Sequence, residues 1–353
     1  MVPNASDPGL LRYLLAIALI FVIVIGLKMT GYLVTIVVVS LVITMLAIPA
    51  MARLRKRGLP DIVSVSLLTG LAVVLIVILV ALTVFSFAVL VRDLPLYQVE
   101  LNQRIAGITM LLDGYGIGGA SLTPPSVDLQ SLLGMVTSSV IGLGDLVLYL
   151  FFIAVTTFFM LLEYPRIEDR ARRLLGESDR FRHVSRMSTY MVRFVVVRTE
   201  TNLVHGVLFG GALFVMGVHA ALLWGILTFV LAYIPYIGLI IAAIPAIFFA
   251  WLQFGTWGAV AVIILVCVLN LVVENPVFSY FAARKFEIPA LVVIFSVIFW
   301  GWVLGIAGMV FAVPLTLLVL IMFQCSDELV WVNRLLGVDR ILETGEEGTG
   351  PEN

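Results

Sequence analysis

The chain has 353 residues, of which 62% are hydrophobic and 12% are charged, and its formal net charge is −1. A soluble domain usually has about 45–50% apolar and about 25% charged residues, so a soluble globular fold is excluded. Charged side chains are absent from four windows, at 29–52, 62–91, 201–273 and 288–326. Because a transmembrane helix needs about 20 mostly apolar residues, the sequence predicts an all-α, polytopic helical membrane protein with about eight transmembrane helices.

Sequence signatures of soluble enzymes are not found. The phosphate-loop pattern and the nucleophile-elbow pattern of serine hydrolases are both absent. The three histidines and two cysteines do not have metal-ligand spacing. We therefore expect no catalytic activity, no metal site and no cofactor, and the near-zero net charge argues against a nucleic-acid partner.

In chain order, apolar runs and loops divide the sequence into six parts. The 92–144 part is predicted to be a hairpin because apolar residues recur at three- and four-residue steps on both sides of a break at Gly114–Gly119. The parts are transmembrane helices 1–3 in 1–91, an extracytoplasmic amphipathic helical hairpin in 92–144, transmembrane helix 4 in 145–164, basic cytoplasmic amphipathic helices in 165–202, a C-terminal transport region with broken helices in 203–325, and a cytoplasmic tail with a disordered end in 326–353.

Basic residues indicate the orientation. Four of the five residues at 53–57 are basic, and nine arginines lie between Arg166 and Arg198. Lysine and arginine are retained in cytoplasmic loops during membrane insertion. We therefore expect both of these segments and both termini to be cytoplasmic.

The basic part also carries an apolar stripe, formed by Phe181, Val184, Met187, Met191, Phe194 and Val195. One interpretation is an amphipathic helix lying on the anionic inner leaflet. The other is a coupling element that joins two halves of the membrane domain.

The C-terminal part contains breaks within apolar runs. Tyr233–Gly238 interrupts the first run, and Gly301–Gly308, followed by Pro314, interrupts the last. Broken helices are tolerated at membrane depth only where protein or a water-filled cavity satisfies the freed backbone groups, and in transporters they mark the substrate site. The last window is too short for two full passes, so we expect residues 289–325 to form a hairpin with its tip near Gly305 to Gly308. Upstream, Gly206 and Gly210 have the spacing that lets membrane helices approach closely.

Glu274 is an acidic residue in this apolar part, one helical turn after Asn270. Pro276 removes a backbone donor just beyond it and should kink the helix. Because an ionised side chain in the membrane costs about 2.5–3.5 kcal/mol, we consider substrate hydrogen bonding or proton coupling. The alternative is an interfacial glutamate that pairs with Arg284 or Lys285.

Other polar residues also have two interpretations. Asn202 belongs to the polar group Glu200–Asn202, which either caps a helix or contributes hydrogen-bonding groups to a substrate pathway. His205 and His219 are either packing histidines or proton carriers.

Three motifs follow one another in the second half of the chain. They are Tyr233-Ile-Pro235-Tyr236-Ile-Gly238, then Asn270-x-x-x-Glu274-Asn275-Pro276, then Phe299-Trp300-Gly301-Trp302-x-x-Gly305-x-x-Gly308 with Ala312-Val313-Pro314 behind it. Together they resemble the successive signatures of the bacterial autoinducer-2 exporter family, and the resemblance extends from Tyr13 to about Phe323. The family position often filled by Leu-Glu-Pro reads Glu274-Asn275-Pro276 here, so the carboxylate is displaced by one residue.

The resemblance implies a secondary transporter of eight helices plus re-entrant hairpins in the bacterial plasma (inner) membrane. It also implies a cyclic homo-oligomer, with a pentamer favoured, and an elevator-like motion. Members are linked to export of the furanone-type quorum signal, whereas others resemble sodium or lithium/proton antiporters. The implied partners are a small polar solute or cation, the lipid bilayer and further copies of the chain.

Three functions are therefore considered: export of a small polyhydroxylated signal, cation/proton antiport, and a non-transporting membrane scaffold. A polyhydroxylated solute needs several neutral donors and acceptors, whereas a cation antiporter usually needs clustered carboxylates. The expected substrate pathway is lined by Asn202, Tyr233, Pro235, Tyr236, Gly238, Asn270, Glu274 and Asn275. The expected hairpin and hinge residues are Pro276, Gly301, Gly305, Gly308 and Pro314.

Overall fold

The computed structural model of the chain describes residues 8–114, 143–175, 179–235, 237–274, 276 and 289–324. Every regular element in these ranges is helical, and four helices are long and apolar enough to cross a membrane. The predicted all-α, polytopic membrane fold is confirmed. Several predicted features lie outside the described residues: the second arm of the 92–144 hairpin, the 326–353 tail, Tyr236, Asn275, Arg284 and Lys285.

The first part of the described chain consists of five helices. They are α1 (Pro8–Met29), α2 (Gly31–Lys56), α3 (Asp61–Asp93), α4 (Gln98–Gly114) and α5 (Leu143–Leu175). A 3-10 turn, Leu94–Tyr97, joins α3 to α4. Large apolar side chains are exposed along much of α1 and α3, which is the pattern of helices surrounded by lipid.

Helix α2 packs against both α3 and α5. The Ser40 hydroxyl donates to the Ile153 carbonyl at 3.2 Å, and Met51, Val65 and Leu161 form a buried cluster. Lipid is as apolar as these side chains, so membrane helices associate through close packing and hydrogen bonds between them. Helices α2, α3 and α5 thus form one packed group, and the second part of the chain packs against it.

Helix α6 (Asp179–Val215) continues without interruption through the predicted boundary between 202 and 203. Near its start, the buried side chains of Met191 and Val195 pack with Val42 and Met45 of α2. This stretch is therefore embedded in protein, which favours the coupling interpretation of the basic segment over a helix lying on the leaflet.

Helix α7 (Ala221–Leu231) runs antiparallel to α6 with the two backbones in contact. A Cβ added to Gly206 would lie 2.7 Å from the Gly225 carbonyl oxygen, and one added to Gly210 would lie 3.1 Å from the Gly225 Cα. The close approach predicted from the spacing of Gly206 and Gly210 is therefore confirmed. At 1.5 Å per residue, α7 is about 16 Å long, which is about half of the ~30 Å hydrocarbon core.

The chain reverses after α7, and α8 (Gly238–Leu269) runs back along α7. The rings of Trp224 and Phe249 lie 5.7 Å apart between these two helices. Helix α7 and the first arm of α8 thus form a hairpin, which we call the first hairpin, and its tip includes residues 232–235 and 237.

Gly255 divides α8 into two arms. Its φ of 72° lies in the region that favours glycine, and a Cβ added to Gly258 would lie 2.5 Å from the Ala250 carbonyl oxygen. The second arm therefore folds back against the first. It ends in a π-helical turn, Asn270–Glu274, just before Pro276, so the break expected near this proline takes the form of a widened turn.

The last helices also form a hairpin, here called the last hairpin. It consists of α9 (Ala290–Leu304), α10 (Ile306–Val310) and α11 (Ala312–Gln324). Gly305, with φ 67°, ends α9. Across the arms, the Trp300 indole donates to the Thr316 hydroxyl at 3.0 Å, which donates to Ser296 at 2.8 Å. The break between the arms lies at Gly305, within the stretch Gly305–Gly308 where the tip was expected.

The tip of the last hairpin lies beside the turn between α1 and α2. Lys28 Nζ lies 3.9 Å from the centre of the Trp302 ring, and a Cβ added to Gly31 would lie 3.7 Å from the Val303 carbonyl oxygen. On its other arm, Leu317 packs with residues of α2 and α6. The last hairpin is thus held between the first two helices and α6.

A polar contact joins the end of α3 to the first hairpin. The His219 backbone N–H donates to Gln253 Oε1 at 3.0 Å, and Gln253 Nε2 donates to the Tyr97 hydroxyl at 2.8 Å. His219 Nε2 lies 3.5 Å from Asp93 Oδ2. Burial raises the pKa of the Tyr97 phenol, so it remains a neutral hydrogen-bonding group. These four residues are referred to below as the Asp93–His219 contact.

Candidate functional site

An arginine and a glutamate from distant parts of the chain meet beside the tip of the first hairpin. Arg198 Nη1 donates to Glu274 Oε2 at 2.8 Å, and the two side chains are 15% and 26% exposed. Arg198 Nη2 donates to the Ala232 carbonyl, at the C-cap of α7. That carbonyl lies at the negative end of the helix dipole. Arg198 therefore connects α6 to both the hairpin tip and the π-helical turn.

Asn202, one turn further along α6, connects the same helix to the tip. Its amide nitrogen donates to the Arg198 carbonyl at 3.2 Å, and its amide oxygen accepts from the Tyr233 N–H at 3.1 Å. The side chain is fully buried. Because α6 extends far beyond Asn202 in both directions, the helix-capping interpretation is wrong.

A pair of hydroxyl groups completes this side of the tip. The Thr199 hydroxyl donates to the Val195 carbonyl at 2.7 Å and also contacts the Tyr233 hydroxyl. Since the Thr199 proton is already used, Tyr233 is the donor in the second contact. We call Arg198, Thr199, Asn202, Tyr233 and Glu274 the polar cluster.

The tip itself is a tight turn. The Ile237 N–H donates to the Pro235 carbonyl at 2.7 Å. A Cβ added to Gly238 would lie 1.7 Å from the Leu231 carbonyl oxygen, so a side chain at this position would force the hairpin arms apart. Gly238 thereby keeps the polar tip residues at the end of the hairpin.

The last hairpin reaches the polar cluster from another side. The rings of Tyr233 and Phe311 lie 6.4 Å apart. A small cavity between α2, α6, the tip of the first hairpin and the last hairpin is lined by Val42, Phe194, Val195, Arg198, Tyr233, Val310, Phe311, Val313 and Pro314. A movement of the last hairpin would therefore change the surroundings of Arg198 and Tyr233.

The polar cluster lies far from the Asp93–His219 contact. Arg198 and Val215, the last residue of α6, are separated by about 25 Å at 1.5 Å per residue. The polar cluster is level with Val42 in the middle of α2, because Val42 lines the same cavity as Arg198 and Tyr233. The Asp93–His219 contact lies beyond the other end of α6.

Residues 14–326 match the family described as AI-2E family transporter. The chain belongs to this family.

Relatives of the chain extend over most of its length. A putative transport protein of Haemophilus influenzae is 29% identical over 340 residues, which cover 94% of this chain and 98% of the relative. The AI-2 transport protein TqsA of Escherichia coli is 26% identical over 316 residues, with coverages of 89% and 92%. The putative transport protein YhhT of Escherichia coli is 24% identical over 319 residues, with coverages of 89% and 90%. Family membership indicates an integral membrane protein with a transport role rather than a catalytic one.

This AI-2E transporter brings together only some of the residues expected in the pathway. Asn202, Tyr233 and Glu274 lie in the polar cluster, and Pro235 and Gly238 lie in the adjacent tip. Asn270 is exposed, although an α-helix would have placed it on the same face as Glu274. The π-helical turn changes the angular spacing between them.

The expected hinge residues are distributed over the last hairpin and the end of α8. A Cβ added to Gly308 would lie 1.9 Å from the Trp300 carbonyl oxygen, and one added to Gly301 would meet the Met309 side chain at 2.6 Å. These nearest contacts lie within the hairpin itself. Pro314 is in the first turn of α11, where a proline disrupts the fewest backbone hydrogen bonds.

Arg198 was not among the site residues expected from the sequence. It is the last of the nine arginines that were used for orientation, and the expected partners of Glu274 were Arg284 or Lys285. The sequence did contain a signal for Arg198 as a site residue, because Arg198 and the expected pathway residue Asn202 are one turn apart on the same helix face. The missing information was the folding of the 270–274 turn back onto α6.

Proposed function

We propose that this AI-2E transporter exports a small polar, polyhydroxylated solute of the autoinducer-2 type across the bacterial plasma membrane. The polar cluster is the observation that carries the proposal, because it forms where the tip of a short hairpin meets a long membrane helix. Transporters place substrate sites at such breaks, where side chains and freed backbone groups provide hydrogen bonds.

The chemistry of the polar cluster suits a neutral solute with several hydroxyl groups. The Asn202 amide and the Thr199 and Tyr233 hydroxyls are neutral hydrogen-bonding groups. Arg198 and Glu274 add charge-assisted donors and acceptors. A site of this kind discriminates strongly against analogues that lack a hydroxyl group, because a buried protein group is then left unpaired. The name of the Escherichia coli relative TqsA, AI-2 transport protein, supports this class of solute.

The proposed pathway runs along the tip of the first hairpin and the end of α8. It comprises Asn202, Tyr233, Pro235, Tyr236, Gly238, Asn270, Glu274 and Asn275. Exposed Asn270 would lie at its entrance. The Glu274 carboxylate would bind the solute inside the protein, next to Arg198.

The proposed movement is elevator-like and involves the last hairpin. Contact between Phe311 and Tyr233 links this hairpin to the polar cluster. Hinge positions at Pro276, Gly301, Gly305, Gly308 and Pro314 would allow it to shift. The movement would open the cavity beside Arg198 first to one side of the membrane and then to the other.

Cation/proton antiport is a second candidate, favoured by a carboxylate within a membrane segment. The pairing of Glu274 with Arg198 weakens this alternative, because the guanidinium neutralises the carboxylate charge that would bind a cation. Within the described residues, no group of three or more potential metal ligands among His, Cys, Asp and Glu is present. A non-transporting scaffold would not require the buried polar cluster.

Assembly and orientation belong to the same proposal. We expect a cyclic homo-oligomer, with a pentamer favoured by the family resemblance, and cytoplasmic termini, from the basic residues at 53–57 and 166–198. In this orientation the Asp93–His219 contact is near the external boundary. The polar cluster, level with Val42 in the middle of α2, lies between the two boundaries.

Efflux from proteoliposomes tests the proposal. Vesicles loaded with autoinducer-2 should lose it faster when they contain the transporter than when they are protein-free. Sodium or lithium gradients should not drive proton movement in the same vesicles. Cation-driven proton movement without autoinducer-2 efflux would instead establish the antiporter, and the absence of both activities would contradict transport of either class.

A further inference from the structure

His205 is a buried polar side chain whose two ring nitrogens have no hydrogen-bond partner among the described residues. The residue is 1% exposed. Leaving a buried donor or acceptor unsatisfied costs about 1–3 kcal/mol. Such groups are uncommon in folded proteins and often have a functional role.

The position of His205 relates it to the polar cluster. It follows Asn202 by three residues and Arg198 by seven, which places all three on one face of α6. This face is buried, whereas the adjacent Leu203, Val204 and Val207 are exposed. His205 therefore points into the protein, on the same side as the ion pair.

Among the residues that the structure describes, two charged side chains act on the His205 ring. Arg198 and Glu274 are both within electrostatic range, and the Tyr233 hydroxyl belongs to the same cluster. Glu200, on α6, is exposed. Helix α7 contains no titratable side chain, and the only one in α8 is Cys267, which is exposed. Burial acts on the protonation of the ring most strongly, and the charges of Glu274 and Arg198 then act on it in opposite directions.

Arg198 and a protonated His205 compete for the carboxylate of Glu274. While Glu274 pairs with Arg198, its charge is compensated and a proton on His205 would add an unpaired cation. A protonated ring would attract the carboxylate and leave Arg198 unpaired. Because Glu274 carries a single negative charge, it can compensate either Arg198 or a protonated His205 but not both.

We propose that His205 is the proton-binding residue of the transport site and that its protonation and solute binding exclude each other because both require Glu274. This inference rests on the proposed function. In the state described here the ring is neutral, the ion pair is formed and the polar cluster is ready for solute. A proton that enters from the outside moves Glu274 to His205 and disassembles the solute site, and its release inside restores the ion pair. Solute export is thereby exchanged for proton entry.

Nuclear magnetic resonance of the purified transporter with 15N-labelled histidine rings tests the proton site without a solute. The sequence has three histidines, so His183→Gln and His219→Gln variants assign the His205 signal even where His205→Gln does not fold. Glu274→Gln should lower the titration midpoint of the ring by about one pH unit or more, and Arg198→Gln should raise it by a similar amount. His219→Gln should leave the midpoint unchanged. The proposal is overturned if the His205 ring remains neutral from about pH 5 to 8. It is also overturned if neither Glu274→Gln nor Arg198→Gln changes the titration midpoint of the ring.

Transport measurements test the exchange. In wild-type proteoliposomes the steady-state autoinducer-2 gradient should change about tenfold for each pH unit imposed, the value for one exchanged proton. His205→Gln should lose this pH response at whatever rate of autoinducer-2 movement it retains, and His219→Gln should keep the response. A full pH response in His205→Gln overturns the proposal. If the wild type moves no autoinducer-2, the proposed function fails, and the titration experiment still decides the role of His205.

Discussion

Arg198 contributes to the site through two different bonds from one guanidinium group. One nitrogen binds the Glu274 carboxylate and another binds the Ala232 carbonyl. The rigid fork of an arginine can hold two such acceptors in fixed positions, whereas the single point charge of a lysine cannot. Arg198 is therefore the residue on which the relative positions of α6, the hairpin tip and the π-helical turn depend.

Replacing Glu274 by glutamine tests this arrangement. The substitution keeps the shape of the side chain but removes the charge-assisted hydrogen bond to Arg198, which is worth roughly 1.5–3 kcal/mol. We expect transport to fall by about tenfold or more, with folding and oligomer size unchanged by size-exclusion chromatography.

Glu163→Gln provides a matched control. Glu163 also pairs with arginines, at 3.2 Å from Arg166 and 2.9 Å from Arg170, but it lies on α5, outside the polar cluster. Its substitution should leave transport unchanged. Equal transport by wild type and Glu274→Gln at all pH values would mean that Glu274 has only a structural role.

The sequence was sufficient to identify Glu274 but not its partner. A carboxylate inside an uncharged run is visible without a structure, because its cost in the membrane is known. The pairing with Arg198 depends on a contact across 76 positions of the chain, which local spacing does not encode. The exposure of Asn270 was also hidden, since the π-helical turn departs from ordinary helical periodicity.

The two hairpins differ in how they are held. In the first, α7 is in backbone contact with α6 through Gly206, Gly210 and Gly225, so these helices can move only as a unit. The last hairpin contacts its neighbours mainly through side chains, among them Val297, Ala312 and Leu315. Side-chain contacts can re-form after a shift, which makes the last hairpin the more mobile of the two in our proposal.

A crosslink between the hairpins tests this movement. Ile234, at the tip of the first hairpin, and Ala312, at the start of α11, belong to one buried cluster. In a chain with Cys267→Ser and Cys325→Ser, cysteines at these two positions joined through disulfides by a short bis-methanethiosulfonate crosslinker should stop transport, and reduction of the disulfides should restore it.

The control crosslink joins α2 to α5, which do not move relative to each other in the proposed mechanism. Cysteines at Ser40 and Ile153, whose side chain and carbonyl are hydrogen-bonded between α2 and α5, should be joined without loss of transport. Normal transport after complete crosslinking of Ile234 to Ala312 would exclude the moving-hairpin mechanism.

The break points of both hairpins were predictable, because glycine and proline interrupt long apolar runs at each tip. The partners of the hairpin arms were not. Gly206 and Gly210 predict a close helix contact but do not identify Gly225 as its other side. Helix α6 is continuous, but a boundary was expected between residues 202 and 203. The composition changes there from basic to apolar, and such a change resembles a helix boundary.

The proposed orientation of the whole chain can be tested by labelling. A cysteine replacing Arg57 should react with a membrane-impermeant maleimide only after intact cells are permeabilised, because the basic 53–57 segment is expected inside. A cysteine replacing the exposed Asn102 of α4 should react in intact cells. Reaction of the Arg57 cysteine from outside would invert the proposed orientation of the polar cluster.

Helix α3 gives the transporter a dependence on bilayer thickness. Its uncharged stretch, 62–91, is about 45 Å long at 1.5 Å per residue, and a ~30 Å core would accommodate it only by strong tilting or local thickening. Its far end carries Asp93, which contacts the first hairpin through His219. Lipid length should therefore act on the hairpin through the tilt of α3. Transport rates in vesicles of longer-chain lipids should exceed those in shorter-chain lipids, and removal of the Asp93 side chain by Asp93→Ala should reduce the difference.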